Sequence, residues 1–466
     1  MKREEIYLKL PLLLQNVACS VEGMRVARSR RNGTFRKELA AVESREFWSV
    51  ERMREFRDQR LRRFVAHAAA TVPYYRTWFQ GSGMSPEEIR GLDDLRLLPT
   101  LSKHEVQERG SEFCSEAVRD NQCTMAHTSG TTGGGLRFRT TAQALREQWA
   151  VYWRYRQSHG IQLDTWCAYF GGRLIVPLSQ QKPPFWRYNY PGRQLLFSGY
   201  HLNEANLKHY VEKLRHAQAP WLHGYPSLLA LLANYMIDRR LELGYRVRWV
   251  TVGAENLLAD QADAIAKAFG FAARQHYGMS EAVANISECE QGVLHVDEDF
   301  AAVEFIPNGF GGYRIVGTNL SNMATPLLRY DVRDDVQLRA QPCSCGRPGR
   351  TVATLDGRRE DYVVLANGTC LGRLDHVFKD LAHIREAQIY QIRPGAITIR
   401  VVRNQSYSVD DERALVHSAK EKVGADIQIT IEYRDCLERS RTGKLRFVIS
   451  EIEQARIGHH TEPWRV

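Results

Sequence analysis

The sequence predicts an α/β protein, with a large multilayer α/β domain followed by a small α+β domain. From Cys123 to about Thr354 short apolar runs alternate with helix-period segments, the pattern of strands layered with helices. After Asp356-Gly357-Arg358 the pattern changes to β-alternating stretches around a single helix. The 466-residue chain is 43% hydrophobic and 25% charged, an ordinary globular composition without disorder or a disulfide scaffold. The domains are accordingly drawn at residues 1–356 and 357–466.

Residues 1–66 form a basic helical N-terminal region. The run at 6–19, IYLKLPLLLQNVAC, beside the basic cluster Arg25–Arg31 is a candidate for peripheral membrane contact. Lys9, Pro11 and Gln15 interrupt it, and no stretch approaches the roughly 18–20 apolar residues of a membrane span. Glu4 and Glu5 spoil a signal-peptide start, so a cytoplasmic location is expected. Arg45–Phe64 reads as an amphipathic helix with a solvated charged face, its apolar side carried by Phe47, Val50, Met53, Phe56, Leu61 and Phe64. Residues 34–118 are mostly helical, with a break at Leu98–Lys103. Strands follow at Trp166–Phe170, Val247–Val252 and Ala301–Phe305, and helices at Ser227–Leu241 and Asp260–Phe269. In the second domain Gln388–Ile392, Ile397–Val402 and Ile427–Tyr433 alternate as strands around a helix near Asp410–Val423.

The net charge of +10 suggests a polyanionic partner. Its distribution weakens that inference, because residues 1–66 hold 16 Lys and Arg against 9 Asp and Glu, or +7. No nucleic-acid partner is expected from a charged helix of this kind. The nine cysteines are odd in number and scattered, which argues against a disulfide framework.

Within His127–Gly135 stand Thr128, Ser129, Gly130, Thr131, Thr132 and Gly133, followed by two further glycines. Glycines let several backbone N–H groups converge and hydroxyls add donors, a combination that cradles phosphate oxygens. Leu136 and Arg137 follow where a Walker A loop needs Lys and Ser/Thr.

At these residues the chain resembles the adenylate-forming superfamily of acyl-CoA ligases, luciferases and peptide-synthetase adenylation domains, and later motifs appear in that family's order over roughly residues 95–450. Tyr277-Gly278-Met279-Ser280-Glu281 is similar to its Tyr-Gly-x-Thr-Glu segment. The resemblance implies that Tyr277 stacks on adenine, with Gly278 and Ser280 beside it, and that Glu281 helps hold Mg²⁺. Gly253-Ala254-Glu255 resembles the turn lining the adenine pocket. Arg329–Asp334 stands where the family has Tyr-x-Thr-Gly-Asp, which puts Asp334 on the ribose hydroxyls. Gly357–Asp361 resembles the hinge of a mobile C-terminal domain, with Arg358 on nucleotide and Glu360 at the pivot. Ser440–Lys444 resembles the loop whose lysine, here Lys444, reaches the α-phosphate.

The implied chemistry is attack of a carboxylate on the α-phosphorus of ATP, giving an acyl-adenylate and pyrophosphate. An anion must approach a polyanion, so charge neutralisation and positioning dominate. Magnesium bridging phosphate oxygens and the compact cation of Lys444 supply the neutralisation.

Cys289-x5-His295 and Cys343-x-Cys345 offer three thiols and an imidazole, a set suited to structural Zn²⁺ or else left as reduced cysteines. Cys343–Arg347 resembles the phenylacetate–CoA ligase and CapK-like branch, some members of which carry zinc here. His223–Ser227, with Tyr225, resembles that branch's acyl-pocket segment. Gly171-Gly172-Arg173 is a further candidate loop near the substrate, and Trp186, Tyr188, Tyr190 and Phe197 could flank an aromatic acid. Asn367–Arg373 departs from the branch's segment that receives coenzyme A. The acceptor is therefore left between CoA and an amine, the latter giving an amide. A non-catalytic nucleotide-binding or scaffold protein is the remaining alternative. The sequence assigns neither the acid nor an oligomeric state.

Overall fold

The computed structural model describes residues 3–452 except 32, 128–135, 178, 203–204, 310, 359–362, 365, 367–369, 372–382, 404, 424–426 and 439–444. The chain divides into two compact units, one mainly residues 1–257 and 261–356, the other mainly 357–440 and 445–466.

The first unit is organised by a twelve-stranded sheet. Five neighbouring strands run parallel, in the spatial order Gln194–Ser198, Cys167–Gly171, Trp221–Gly224, Trp249–Gly253 and Arg274–Gly278. The first four are mainly apolar and buried because helices cover the sheet, whereas Arg274–Gly278 is polar and only partly buried. The helix Pro226–Asp238 is apolar on nearly every side and correspondingly buried over Pro226–Ala233. Asn285–Glu288, Leu294–Val296 and Thr351–Arg358 extend the sheet on one side towards Tyr330–Leu338, Tyr313–Asn319 and Ala301–Pro307. On the other side Trp186–Asn189 forms the edge.

That edge is capped by the helix Leu12–Arg31, as an unpaired strand edge requires. Tyr188 N donates to Asn16 Oδ1 at 2.9 Å, and the buried Arg187 donates to Gln15 Oε1 at 2.6 Å. The opposite side of this helix leaves Leu13, Val17 and Val21 exposed. No helix among the described residues is long and apolar enough to cross a membrane.

Two expectations change. The amphipathic helix runs over Val50–Thr71, not Arg45–Phe64, because the Ser49 side chain caps it by accepting from Arg52 N at 3.2 Å. Its charged face is also only partly solvated. Arg57 is buried on Glu298 at 2.7 Å, and Arg60 pairs with Glu147 at 2.5 Å. The aromatic segment is largely structural. Phe197 is core, stacked on Phe170 at 4.6 Å, while Tyr188 and Tyr190 stack at 5.3 Å by the capped edge.

The second unit contains a four-stranded sheet ordered Gln428–Tyr433, Ala396–Arg403, Ile384–Arg393, Val448–Ser450. The helix Val409–Val423 buries Leu415, Ala419 and Val423 with Ile389, Ile397 and Ile399 of this sheet.

Candidate active site and metal centre

In parallel sheets ligands bind beyond the carboxyl ends of the strands. At those ends here stand Gly171, Gly224, Gly253 and Gly278, each followed by a segment singled out in the sequence. Gly224 is required by close approach, since a Cβ there would fall 2.1 Å from the Phe170 carbonyl oxygen. The absence of that Cβ allows Tyr225 N to donate to the same oxygen at 2.9 Å. This holds Tyr225 beside the Gly171–Gly172 loop, where Tyr200 also donates to Gly172 O at 3.2 Å. Burial, then the neighbouring Tyr169 and Glu255, push the Tyr225 phenol pKa up, so it stays protonated.

The nucleotide candidates converge at the neighbouring strand ends. Gly253 pairs with His276 across the sheet, which sets Tyr277 next to the Gly253–Glu255 turn. Tyr277 donates from its hydroxyl to Asp334 Oδ2 at 2.7 Å. Glu255 accepts from Ser227 N at 3.3 Å, a favourable place for a carboxylate at a helix N-terminus. Met279 O accepts from Gln148 at 2.8 Å and Glu281 O from Asn319 at 2.9 Å, fixing the backbone on both sides of Ser280. Ala254, Ala282 and Arg333 adopt positive φ of 70°, 55° and 63°, and strain of this kind in non-glycine residues gathers at functional sites. Thr128–Gly133, Glu360 and Lys444 lie outside the described residues, as does the side chain of Arg358.

Cys289, His295, Cys343 and Cys345 come together, with ligand atoms all within 4.8 Å of one another. Cys289 follows the strand Asn285–Glu288 and His295 lies within its hairpin partner Leu294–Val296, while the other two come from the connection after Tyr330–Leu338. Cys289 Sγ lies 3.7 Å from Cys343 Sγ, and Cys345 Sγ 3.4 Å from His295 Nε2. Tetrahedral zinc with ordinary bond lengths separates two sulfurs by about 3.8 Å and a sulfur and nitrogen by about 3.5 Å. The donor set therefore fits that ion. His295 Nδ1 lies 3.3 Å from Gly349 O, the outer contact that fixes a ligating imidazole. Gly349 is needed for this approach, because a Cβ there would lie 2.1 Å from Val296 O.

The sequence did not single out the helix that packs beside the candidate acyl segment His223–Ser227. The helix Ala142–Ser158 presents Trp149, Tyr152, Trp153 and Arg156 at helical spacing. Tyr152 lies 3.2 Å from His223 Nε2 and its ring 4.3 Å from that of His276. The spacing of these aromatics was visible, but it matches an ordinary core stripe. Burial, then the nearby Arg156, lower His223 and His276 to about 3, so both are neutral.

This architecture is that of the adenylate-forming acyl-CoA ligases. A solved 2-hydroxyisobutyryl-CoA ligase, in the postadenylation state with 2-HIB-AMP, superposes with a TM-score of 0.67 at 16% identity, covering 87% of this chain and 91% of that one. By sequence the chain is homologous to Protein CapK and to phenylacetate-coenzyme A ligases. Protein CapK of Staphylococcus aureus is 25% identical over 456 residues, 96% of this chain and 99% of the relative. The phenylacetate-coenzyme A ligase of Thermus thermophilus is 25% identical over 335 residues, 68% of this chain and 72% of the relative. Residues 366–451 match the family model of the CapK C-terminal domain.

Proposed function

We propose that the chain is an ATP-dependent, AMP-forming ligase that activates a carboxylic acid as its adenylate and transfers the acyl group to an acceptor. The observation that carries this reading is the meeting of Tyr277 and Asp334, 2.7 Å apart, beside the Gly253–Glu255 turn at the carboxyl ends of the parallel strands. Tyr277 offers its ring to adenine while its hydroxyl orients Asp334 for the ribose. Gly171, Gly172 and Tyr225 border the acid. Thr128–Gly133, Glu281 with Mg²⁺, Arg358 and Lys444 handle the phosphates, and Glu360 is the pivot. Homology to phenylacetate-coenzyme A ligases supports CoA as acceptor, whereas the departure at Asn367–Arg373 supports an amine.

Acid-dependent exchange of pyrophosphate into ATP tests the first step. Exchange is expected with at least one member of a carboxylic-acid panel, and Asp334→Ala should raise the KM for ATP about 10–100-fold, the worth of hydrogen bonds to a charged group. Tight ATP binding with no exchange for any acid would instead identify a non-catalytic nucleotide-binding protein. Supplying CoA or amines to the active pair then reads the acceptor.

The Cys/His cluster is assigned a structural zinc, since four protein ligands leave no open position for catalysis. Metal analysis should return about one zinc per chain, and Cys345→Ser should lose most of it together with thermal stability. Full stability of metal-free protein would remove this assignment.

A further inference from the structure

Four arginines lie near one another in the first unit beside the candidate acyl segment, Arg156 buried, Arg30 and Arg31 partly buried and Arg173 exposed, with no carboxylate among them in the described residues. Arg30 and Arg31 end the helix Leu12–Arg31, Arg156 comes from the helix Ala142–Ser158, and Arg173 follows the Gly171–Gly172 turn. None forms an ion pair or a side-chain hydrogen bond among the described residues, although Arg156 is only 7% exposed. Buried charges are ordinarily paired, and like charges held close together destabilise an empty site. Burial, followed by the adjacent Arg173, Arg156 and Arg31 guanidiniums, draws the Arg30 pKa down to about 10.

Aromatic rings hold the faces of two of these groups. Arg30 lies over Trp149 at 3.9 Å, and Arg156 over Tyr152 at 4.0 Å and Trp221 at 4.7 Å. Trp149 and Tyr152 are themselves in contact, with centroids 5.4 Å apart, and Tyr152 meets His223 of the acyl segment. A stacked guanidinium keeps its in-plane N–H donors available, and that planar fork matches a carboxylate or phosphate. Arg156 Nε is buried with no acceptor.

We propose that Arg30, Arg156 and Arg173 form a subsite for a second anionic group on the acid, so that the substrate class is a dianionic acid. The carboxylate being activated sits at the strand ends while the arginines bind the far end. This inference rests on the proposed acid activation, whose failure can be told apart from its own.

The test titrates the full-length protein calorimetrically with acids matched except for one anionic group, benzoate against benzene-1,4-dicarboxylate and hexanoate against hexanedioate, and runs the same pairs in pyrophosphate exchange. In at least one pair the dianion should bind about 10–100-fold tighter, the worth of charge-assisted hydrogen bonds. Arg30→Met and Arg173→Met should remove the preference, and Arg30→Lys should restore part of it. Binding of the monoanion serves as the control, because a merely structural role would weaken both members alike. Equal binding within both pairs, or a preference unchanged in Arg30→Met, overturns the subsite. Exchange with monoanions but no dianion preference defeats only the subsite. A dianion preference in titration without exchange defeats only the proposed reaction.

Discussion

Replacing Asp299 by asparagine is expected to destabilise the first unit by about 3–5 kcal/mol, the usual effect of removing one member of a buried ion pair. Asp299 is 1% exposed and bonds Arg45 at 2.7 Å and Arg154 at 2.9 Å through both guanidinium nitrogens. Burial alone would raise its pKa, but Arg154 and Arg45 overcome that and hold it well below the usual carboxylate range. Because the change is a depression, the carboxylate's contribution is complete above about pH 5 and fades as the pH falls through about 4 into stronger acid. Urea denaturation at pH 7 measures the loss. Arg413→Gln, at the exposed pair with Asp410, should leave stability nearly unchanged. A loss for Asp299→Asn below about 1 kcal/mol, the size of an average substitution, would show that the network is not a stabilising centre.

Between pH 7 and 5 stability should fall for a different reason. His223 and His276 are lowered to about 3 and His159 to about 4, in each case chiefly by burial. The rings are walled in by aromatics, His223 by Tyr152, Tyr169 and Trp221, and His276 by Tyr152 and Tyr155. An unfolded histidine takes up its proton near pH 6.5. In the intervening window the unfolded chain binds more protons than the native one, so stability rises with pH and levels off above about pH 7. Each histidine contributes up to about 2 kcal/mol over pH 5–7 at roughly 1.4 kcal/mol per pH unit. Asp299 is silent there, so the slope reports the imidazoles. Melting temperatures at half-unit steps should drop steadily below pH 6.5, and His276→Asn should flatten the curve. A profile level from pH 7 to 5 would contradict neutral burial.

Local pattern made much of this molecule legible. Trp166–Phe170 and Val247–Val252 read as strands because buried parallel strands are short apolar runs, and they lie within two residues of the observed Cys167–Gly171 and Trp249–Gly253. The helix after Tyr225 was legible in the same way, with Pro226 at its first turn. Boundaries set by a single side chain were less visible, as at Ser49, where one cap overrides a charge pattern that starts earlier. The metal candidates were readable by residue type alone. Whether the two halves meet depended on a hairpin and a loop separated by about fifty residues.

By itself the sequence determined the α/β class and the order of the motifs, and it supplied the candidates for cradling phosphate or binding zinc, because these follow from periodicity and side-chain chemistry within short windows. Only the tertiary structure decided which charges are neutralised. Arg57, Arg45 and Arg154 find Glu298 and Asp299 more than a hundred residues away, while Arg30, Arg156 and Arg173 form no ion pair among the described residues. The physical reason is that the energy of a charge depends on its burial and its partners in space, and neighbours along the chain specify neither.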